Sequence, residues 1–193
     1  MKKHLTAAIL LLLSLSILPA CSFGGTSTST TPDDTHRLYE NNEFSVQIPK
    51  DWETIEKDDF TSDVPDVTMV VFRNNVKNET FTGNVNIVRN QIQETIDSNE
   101  YAKMVYNRQK NGLYEFKEIK REEYKIQIGG SPVTSTYLIF EAKKGTDQQT
   151  VRYMQTYAVK NNFAYIITGA VSPQENDVTI QTIESIIKSF QLK

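Results

Sequence analysis

The chain has 193 residues and a formal net charge of −3, with 38% apolar and 23% charged residues: the scale of one ordinary domain with a mildly acidic surface. That charge balance argues against a broad nucleic-acid-binding face. A single cysteine excludes a disulfide framework and any multi-cysteine zinc or iron–sulfur site, and two histidines, His4 and His36, leave little imidazole for catalysis.

Residues 1–21 read MKKHLTAAILLLLSLSILPAC. Lys2 and Lys3 make a positive start. The apolar run Leu5 to Leu18 is shorter than the ~20 residues a bilayer takes, so it has the layout of a signal peptide. It ends in Leu18-Pro19-Ala20-Cys21, which resembles the lipobox of bacterial lipoproteins: Leu three places before Cys and a small residue just before it. Pro19 departs from the Ala, Ser, Thr or Val usual at that place. The resemblance implies removal of residues 1–20, a diacylglyceryl group on the Cys21 sulfur, fatty acyl chains such as palmitate, and an extracytoplasmic, membrane-anchored protein. Each buried methylene contributes ~0.8 kcal/mol, and two or more chains hold a soluble domain without a transmembrane helix. The expected organisation is a lipoprotein signal peptide over 1–20, a flexible tether over 21–36 and a folded domain over 37–193. The tether, CSFGGTSTSTTPDDTH, is too poor in apolar residues to offset its ordering entropy. His36 at its end lacks the fixed geometry a catalytic base needs.

Along the folded part, Phe44, Val46 and Ile48 alternate with polar residues and predict a half-buried strand closed by Pro49. Trp52, after the turn, is expected to cap one end of the core. The loop EKDDFTSDVPD carries Asp58, Asp59, Asp63 and Asp66. A calcium loop needs carboxylates at alternate positions, a central Gly and a closing Glu; none is present, so residues 58–66 read as a solvated loop and no metal is expected. Val67 to Arg73 predicts a strand apolar on both faces. Asn78-Glu79-Thr80 fits a glycosylation sequon, which means nothing behind a bacterial lipobox. Val85 and Ile87 mark another strand.

Asp97 and Glu100 form the pattern of a capping box, with Tyr101, Met104 and Val105 as the apolar stripe of a helix ending at Gly112. Phe116 to Ile128 reads as a charged strand or pair of strands, followed by the turn Gly129-Gly130-Ser131-Pro132. Thr134–Glu141, Thr150–Lys160 and Phe163–Ala170 then predict a meander turning at Lys143–Asp147 and at Asn161-Asn162, a pair that tolerates positive φ. Apolar residues on both faces of the last strand place it centrally. Ser172-Pro173-Gln174-Glu175 suggests a second capping box, and Ile180, Ile183, Ile187 and Phe190 a helix packed on the sheet. The fold class expected is α+β, an antiparallel β-sheet flanked by helices.

Several segments carry a family resemblance: FSVQIPKDW, IQIGGSPVTSTYLIFE, TYAVKNNFAYIITGAV and the closing IESIIKSF. Together they resemble the PsbP-like superfamily, which includes bacterial DcrB-type and PsbP-related lipoproteins. The resemblance implies an α/β/α sandwich. Plant PsbP is an extrinsic, non-enzymatic subunit that stabilises the oxygen-evolving centre of photosystem II, so the resemblance also implies an extrinsic helper or binding domain on a membrane. The residues that carry it are core and turn positions, so no functional residue transfers.

Chemistry leaves few marks. A serine triad needs a fixed histidine, and outside the leader only His36 exists. Gly129-Gly130 is a turn and not a phosphate loop. No cofactor and no enzymatic activity are expected. Tyr137, Tyr153, Tyr157 and Tyr165, on adjacent strands of the meander, are the candidate ligand or partner face, since tyrosine joins apolar area to a hydroxyl. The function expected is a membrane-anchored domain that binds or stabilises a protein partner at the cell envelope. The alternatives are a small-ligand-binding envelope module in transport or stress response, and, weaker, a carboxylate-based envelope hydrolase.

Overall fold

Alternation of apolar and polar residues builds most of the strands, and the two shortest turns fix how they pair. A computed structural model describes residues 35–61, 64–76, 81–93 and 96–193, all within one unit of the chain, Asp33–Lys193. The leader, Cys21, the tether up to residue 34, Asp63 and the sequon Asn78-Glu79-Thr80 lie outside the described residues.

Among the described residues there are ten strands: β1 His36–Glu40, β2 Phe44–Pro49, β3 Glu53–Glu56, β4 Thr68–Arg73, β5 Asn84–Gln91, β6 Tyr114–Ile128, β7 Ser131–Lys143, β8 Val151–Lys160, β9 Phe163–Val171 and β10 Gln191–Leu192. Two α-helices join them, α1 Ser98–Gly112 and α2 Asp177–Lys188. All strands share one sheet, in the order β1-β2-β10-β6-β7-β8-β9-β5-β4-β3. The hairpins β6–β7 and β8–β9 turn on Gly129 (φ 58°) with Gly130 (φ 77°) and on Asn161 (φ 51°) with Asn162 (φ 63°). Two successive positive φ angles make a type I′ turn, whose twist matches the flanking strands. The Asn turn sets Lys160 opposite Phe163 and thereby the whole β8–β9 register.

The sheet differs from the expected antiparallel one. β10 runs parallel to β6 and antiparallel to β2, so the sheet is mixed. It also curls into a half-barrel rather than lying flat between helices. Its two end strands touch through side chains. Arg37 of β1 donates to the Trp52 carbonyl (3.2 Å) and to Thr54 Oγ1 of β3, and the Tyr39 hydroxyl donates to Glu56 Oε2 (3.1 Å). The Tyr39 and Phe72 rings meet edge to face at 5.1 Å. The cause is burial: α2 fills the concave side, where Ile183, Ile186 and Ile187 pack with Phe44, Val46, Ile48, Trp52, Val70, Phe72, Val85, Ile87 and Ile167. Curling lets both ends of the sheet remove apolar area from water against one helix. At Gly169 the backbone comes so close to α2 that an added Cβ would lie 2.2 Å from Ile183 Cγ2.

Helix α1 covers part of the opposite, convex face. Its capping box is formed: Asp97 Oδ1 accepts from the Glu100 backbone N–H (2.8 Å), and Glu100 Oε2 accepts from that of Asp97 (3.3 Å). Asp97→Ala removes one side of this box and is expected to lower stability by ~1 kcal/mol, read as a lower urea midpoint at unchanged slope. The buried stripe is Tyr101, Ala102 and Val105; Met104, expected to join it, is exposed.

Other expectations shift locally. Ser172 to Glu175 is not a capping box but a closed turn, with the Glu175 N–H bonded to the Ser172 carbonyl (3.0 Å). The cap of α2 is Asn176, whose Oδ1 accepts from the Thr179 N–H (2.9 Å). The strand expected to be apolar on both faces, β4, buries Thr68, Val70 and Phe72 and leaves Met69 and Val71 partly exposed. Residues read as one charged strand or two form one long β6 with two register shifts. His36, read as the end of the tether, opens β1 opposite Pro49.

Candidate functional site

The four candidate tyrosines do not share a face. In a strand, successive side chains point to opposite sides, and cross-strand partners share a side. Tyr165 pairs with Ala158, whereas Tyr157 pairs with Ile166 and Tyr153 with Ala170. Tyr137 and Tyr165 therefore point into the half-barrel, and Tyr153 and Tyr157 to its convex side, each side with its own apolar cluster. All four are largely buried, and burial pushes each phenol above its ordinary pKa. Nearby carboxylates add to this for two of them, Glu184 for Tyr137 and Glu43 for Tyr165. As a single ligand or partner face the quartet is corrected by the alternation of the strands themselves.

Tyr153 nonetheless reaches a cavity. Helix α1 lies over β7 and β8, and beyond it the convex face opens into a cleft of about 480 Å³. Its floor is Asn84 and Asn86 of β5, Ala170 of β9 and Tyr153 of β8; Phe81, Lys144, Gln148 and Gln149 line its rim. The register explains the floor, because Asn84, Ala170 and Tyr153 follow one another across three adjacent strands. The Tyr153 ring stacks on Phe140 (centroids 5.0 Å apart, planes at 23°), which fixes its orientation. Tyr153 is only 9% exposed, and its hydroxyl makes no hydrogen bond to a described residue. The amide of Asn86, half-buried beside it, likewise has no partner among the described residues. Both groups open onto the cleft rather than onto a protein partner, so their hydrogen-bonding capacity is available to whatever occupies it.

Next to this floor the Gln155 amide is paired at both ends. Gln155 Nε2 donates to Thr168 Oγ1 (3.1 Å), and Gln155 Oε1 accepts from Gln109 Nε2 (3.0 Å) and the Tyr157 hydroxyl (2.9 Å). This network holds α1 to the sheet. A second cleft of about 510 Å³, lined by Glu53, Ile55, Phe60, Val71 and Arg73, shares Asn84 with the first.

Asn84 and Asn86 carried a signal that the sequence reading did not use. Two asparagines alternating with Val85 and Ile87 in the first half of β5 run against strand preference, and both fall on one face. Lys144, within the predicted turn Lys143–Asp147, stands at the rim of the cleft. In the acidic loop, Asp58 and Asp59 form a short 3-10 turn whose side chains are exposed, and the Lys57 ammonium donates to the Asp66 carbonyl (3.1 Å). Among the described residues no group of three His, Cys, Asp or Glu side chains is placed to hold a metal ion, and no helix is long and apolar enough to cross a membrane.

Comparison with solved structures returns the same architecture. Cyanobacterial PsbP (CyanoP) from Synechocystis sp. PCC 6803 is similar with a TM-score of 0.57 at 11% identity, over 86% of this chain and 98% of that one. LpqN, described as involved in cell envelope biogenesis of Mycobacterium tuberculosis, is similar with a TM-score of 0.59 at 11% identity, over 82% of this chain and 90% of that one. At such identity the likeness shows the fold, a PsbP-like one. Comparison with curated proteins gives no match. The family model of DcrB matches residues 59–189, from the acidic loop through α2, which is more than half of the sequence. The chain belongs to the DcrB family, within the PsbP-like fold.

Proposed function

We propose that this protein is a lipid-anchored, extracytoplasmic and non-catalytic domain that binds a small ligand in the Tyr153 cleft. The observation that carries the reading is the pair of open hydrogen-bonding groups, the Tyr153 hydroxyl and the Asn86 amide, on the floor of a cavity large enough for a small molecule. The lipobox ending at Cys21 supports the anchor, and the envelope role stated for LpqN supports the compartment. The non-catalytic reading rests on the lining of the cleft: among the described residues the one imidazole, His36, opens β1, where its ring bonds Thr35 Oγ1 (2.8 Å), and it does not line the cleft.

One observation favours the protein partner as a second reading. β10 covers only Gln127 and Ile128 of β6, so the outer edge of β6 from Tyr114 to Ile126 has no ladder partner among the described residues. Tyr114 and Ile119, both exposed, lie along it. An envelope protein that adds a strand there gains main-chain hydrogen bonds.

The test is to express the full chain in a bacterial host. The wild type is expected in the membrane fraction and Cys21→Ser in the soluble one, because no acyl chain is attached. Native mass spectrometry of the extracted wild type is expected to show a small-molecule adduct that Asn86→Leu abolishes. Adduct-free protein with a co-purifying subunit lost on Ile119→Pro supports the partner instead. Protein free of both, or a wild type that stays soluble, overturns the corresponding part of the proposal.

A further inference from the structure

Resting on the reading of the Tyr153 cleft as a binding site, we infer that its ligand is a neutral glycan chain, held by side-chain amides and aromatic rings across the convex face of the sheet. The argument runs by the chemistry of the lining. No carboxylate lines the cleft among the described residues, so a cation has no counter-charge there. The one charged lining residue is Lys144, exposed at the rim. Anion sites are built from several converging donors, typically arginine forks or backbone N–H groups, and a lone rim lysine is not such a set. A purely apolar ligand would leave the Tyr153 hydroxyl and the Asn86 amide buried without partners, which is the costly arrangement.

What remains is a ligand whose groups donate and accept at once. Asn84, Asn86 and Gln148 each present a carbonyl oxygen and an NH₂ group, and a phenol does both through one atom. Sugar hydroxyls have the same dual character. The apolar C–H face of a sugar ring needs an aromatic surface, which Phe81 and Tyr153 supply.

The extent of the site points to a chain of sugar units rather than one. Asn84 lines both the first cleft and the second, which lies beyond it over β4 and β3. One cross-strand row carries Tyr153, Ala170, Asn84, Arg73 and Glu53 on the same face. Four strand-to-strand steps of ~4.8 Å make this row ~19 Å long, enough for several linked sugars. The far end is closed to free charge, because Arg73 is paired with Glu53 at 2.6 Å.

The experiment is calorimetric titration of the full chain carrying Cys21→Ser with chitotetraose and cellotetraose, with their monosaccharides, and with two other classes as controls: tetragalacturonate and decanoate. At least one neutral tetrasaccharide is expected to bind, at least tenfold tighter than its monosaccharide. Tyr153→Phe keeps the ring stacked on Phe140 and removes only the hydroxyl; it and Asn86→Ala are each expected to weaken binding at least tenfold. Unchanged circular dichroism of both variants separates lost contacts from lost fold. Binding that neither substitution weakens overturns the placement. Binding of tetragalacturonate or decanoate alone, lost on Asn86→Ala, overturns the glycan and leaves the cleft as a ligand site. Silence of every probe, together with adduct-free protein from membranes, overturns both.

Discussion

Gly169→Ala is expected to cost ~3 kcal/mol, the upper end of what overpacking a core usually does. Gly169 lies in β9, between Met154 of β8 and Val85 of β5, where the concave face meets α2. A Cβ there would sit 2.2 Å from Ile183 Cγ2 and 3.0 Å from Ile187 Cδ1. Both isoleucines are wholly buried and hemmed in by the sheet that wraps them, so neither has room to swing away. The helix has to shift instead, and the contacts of α2 with the curled sheet loosen together. Against a total stability of about 5–15 kcal/mol for a domain, the loss is large. It is read as a urea midpoint well below that of the wild type and a melting temperature lower by ~6–12 °C. Ile183→Ala alone opens a cavity and costs ~2–5 kcal/mol. In the double variant that cavity accepts the new methyl, so the two costs are expected to fall short of additivity by at least ~1 kcal/mol. Gly112→Ala is the control: nothing lies within 4 Å of its added Cβ, and it is expected to be neutral or stabilising by up to ~1 kcal/mol. A Gly169→Ala protein as stable as the wild type would mean that α2 is not seated where the structure puts it.

The pieces of the fold that the sequence announced are those whose cause is local. The strand at Phe44–Ile48, the Gly-Gly and Asn-Asn hairpins, the capping box at Asp97 and the two-sided burial of β9 each follow from a few neighbouring residues. Strands β1, β3 and β10 were not legible. HRLYE and ETIE hardly alternate, and β10 has two residues. Their strand character comes from partners far away in sequence: Leu192 opposite Phe44 and Ile128, Ile55 opposite Val71. The curl of the sheet was hidden for the same reason, since it takes shape only when α2 is buried by both ends of the strand order. At the N-terminus of α2, Ser172 and Glu175 have the right spacing for a cap, but the next residue, Asn176, caps the helix whose register turns Ile183, Ile186 and Ile187 inward.

The candidate site was half legible. A two-residue turn at Asn161-Asn162 forces Tyr165 opposite Ala158, so the sequence already held the separation of Tyr165 from Tyr153 and Tyr157. The side taken by Tyr137 depends on the β7–β8 register, which a longer loop joins and which puts it opposite Thr156. The cleft itself depends on what α1 leaves uncovered, a property of packing. Curling therefore divides the sheet: the concave face packs on α2, and the convex face beyond α1 is left open, where the proposed ligand cleft lies.

The same burial predicts how the fold fails in alkali. Burial is the largest cause that holds the Tyr137 and Tyr157 phenols above their ordinary value; the carboxylates of Glu184 and Glu122 add to it at Tyr137, and the neighbouring Tyr101 at Tyr157. Tyr137 lies against the concave core, and its hydroxyl has no partner among the described residues; that of Tyr157 donates to Gln155. In the unfolded chain both ionise near pH ~10. Above that pH the unfolded state releases protons that the folded state still holds, so stability is full below pH ~10 and falls as pH rises toward the folded values. Each phenol contributes a slope of ~1.4 kcal/mol per pH unit, and the two together ~2.7 kcal/mol per pH unit. Urea midpoints are therefore expected to be flat from neutral pH to about pH 9 and to drop steeply beyond ~10, with phenolate absorbance from these residues appearing only as the chain unfolds. Tyr157→Phe loses the bond to Gln155, a cost of ~1 kcal/mol at neutral pH, yet its alkaline slope is expected to be shallower by ~1.4 kcal/mol per pH unit. Full phenolate absorbance near the ordinary tyrosine value in a still folded protein would show that these rings face water, and with them the assignment of the two sides of the sheet would fall.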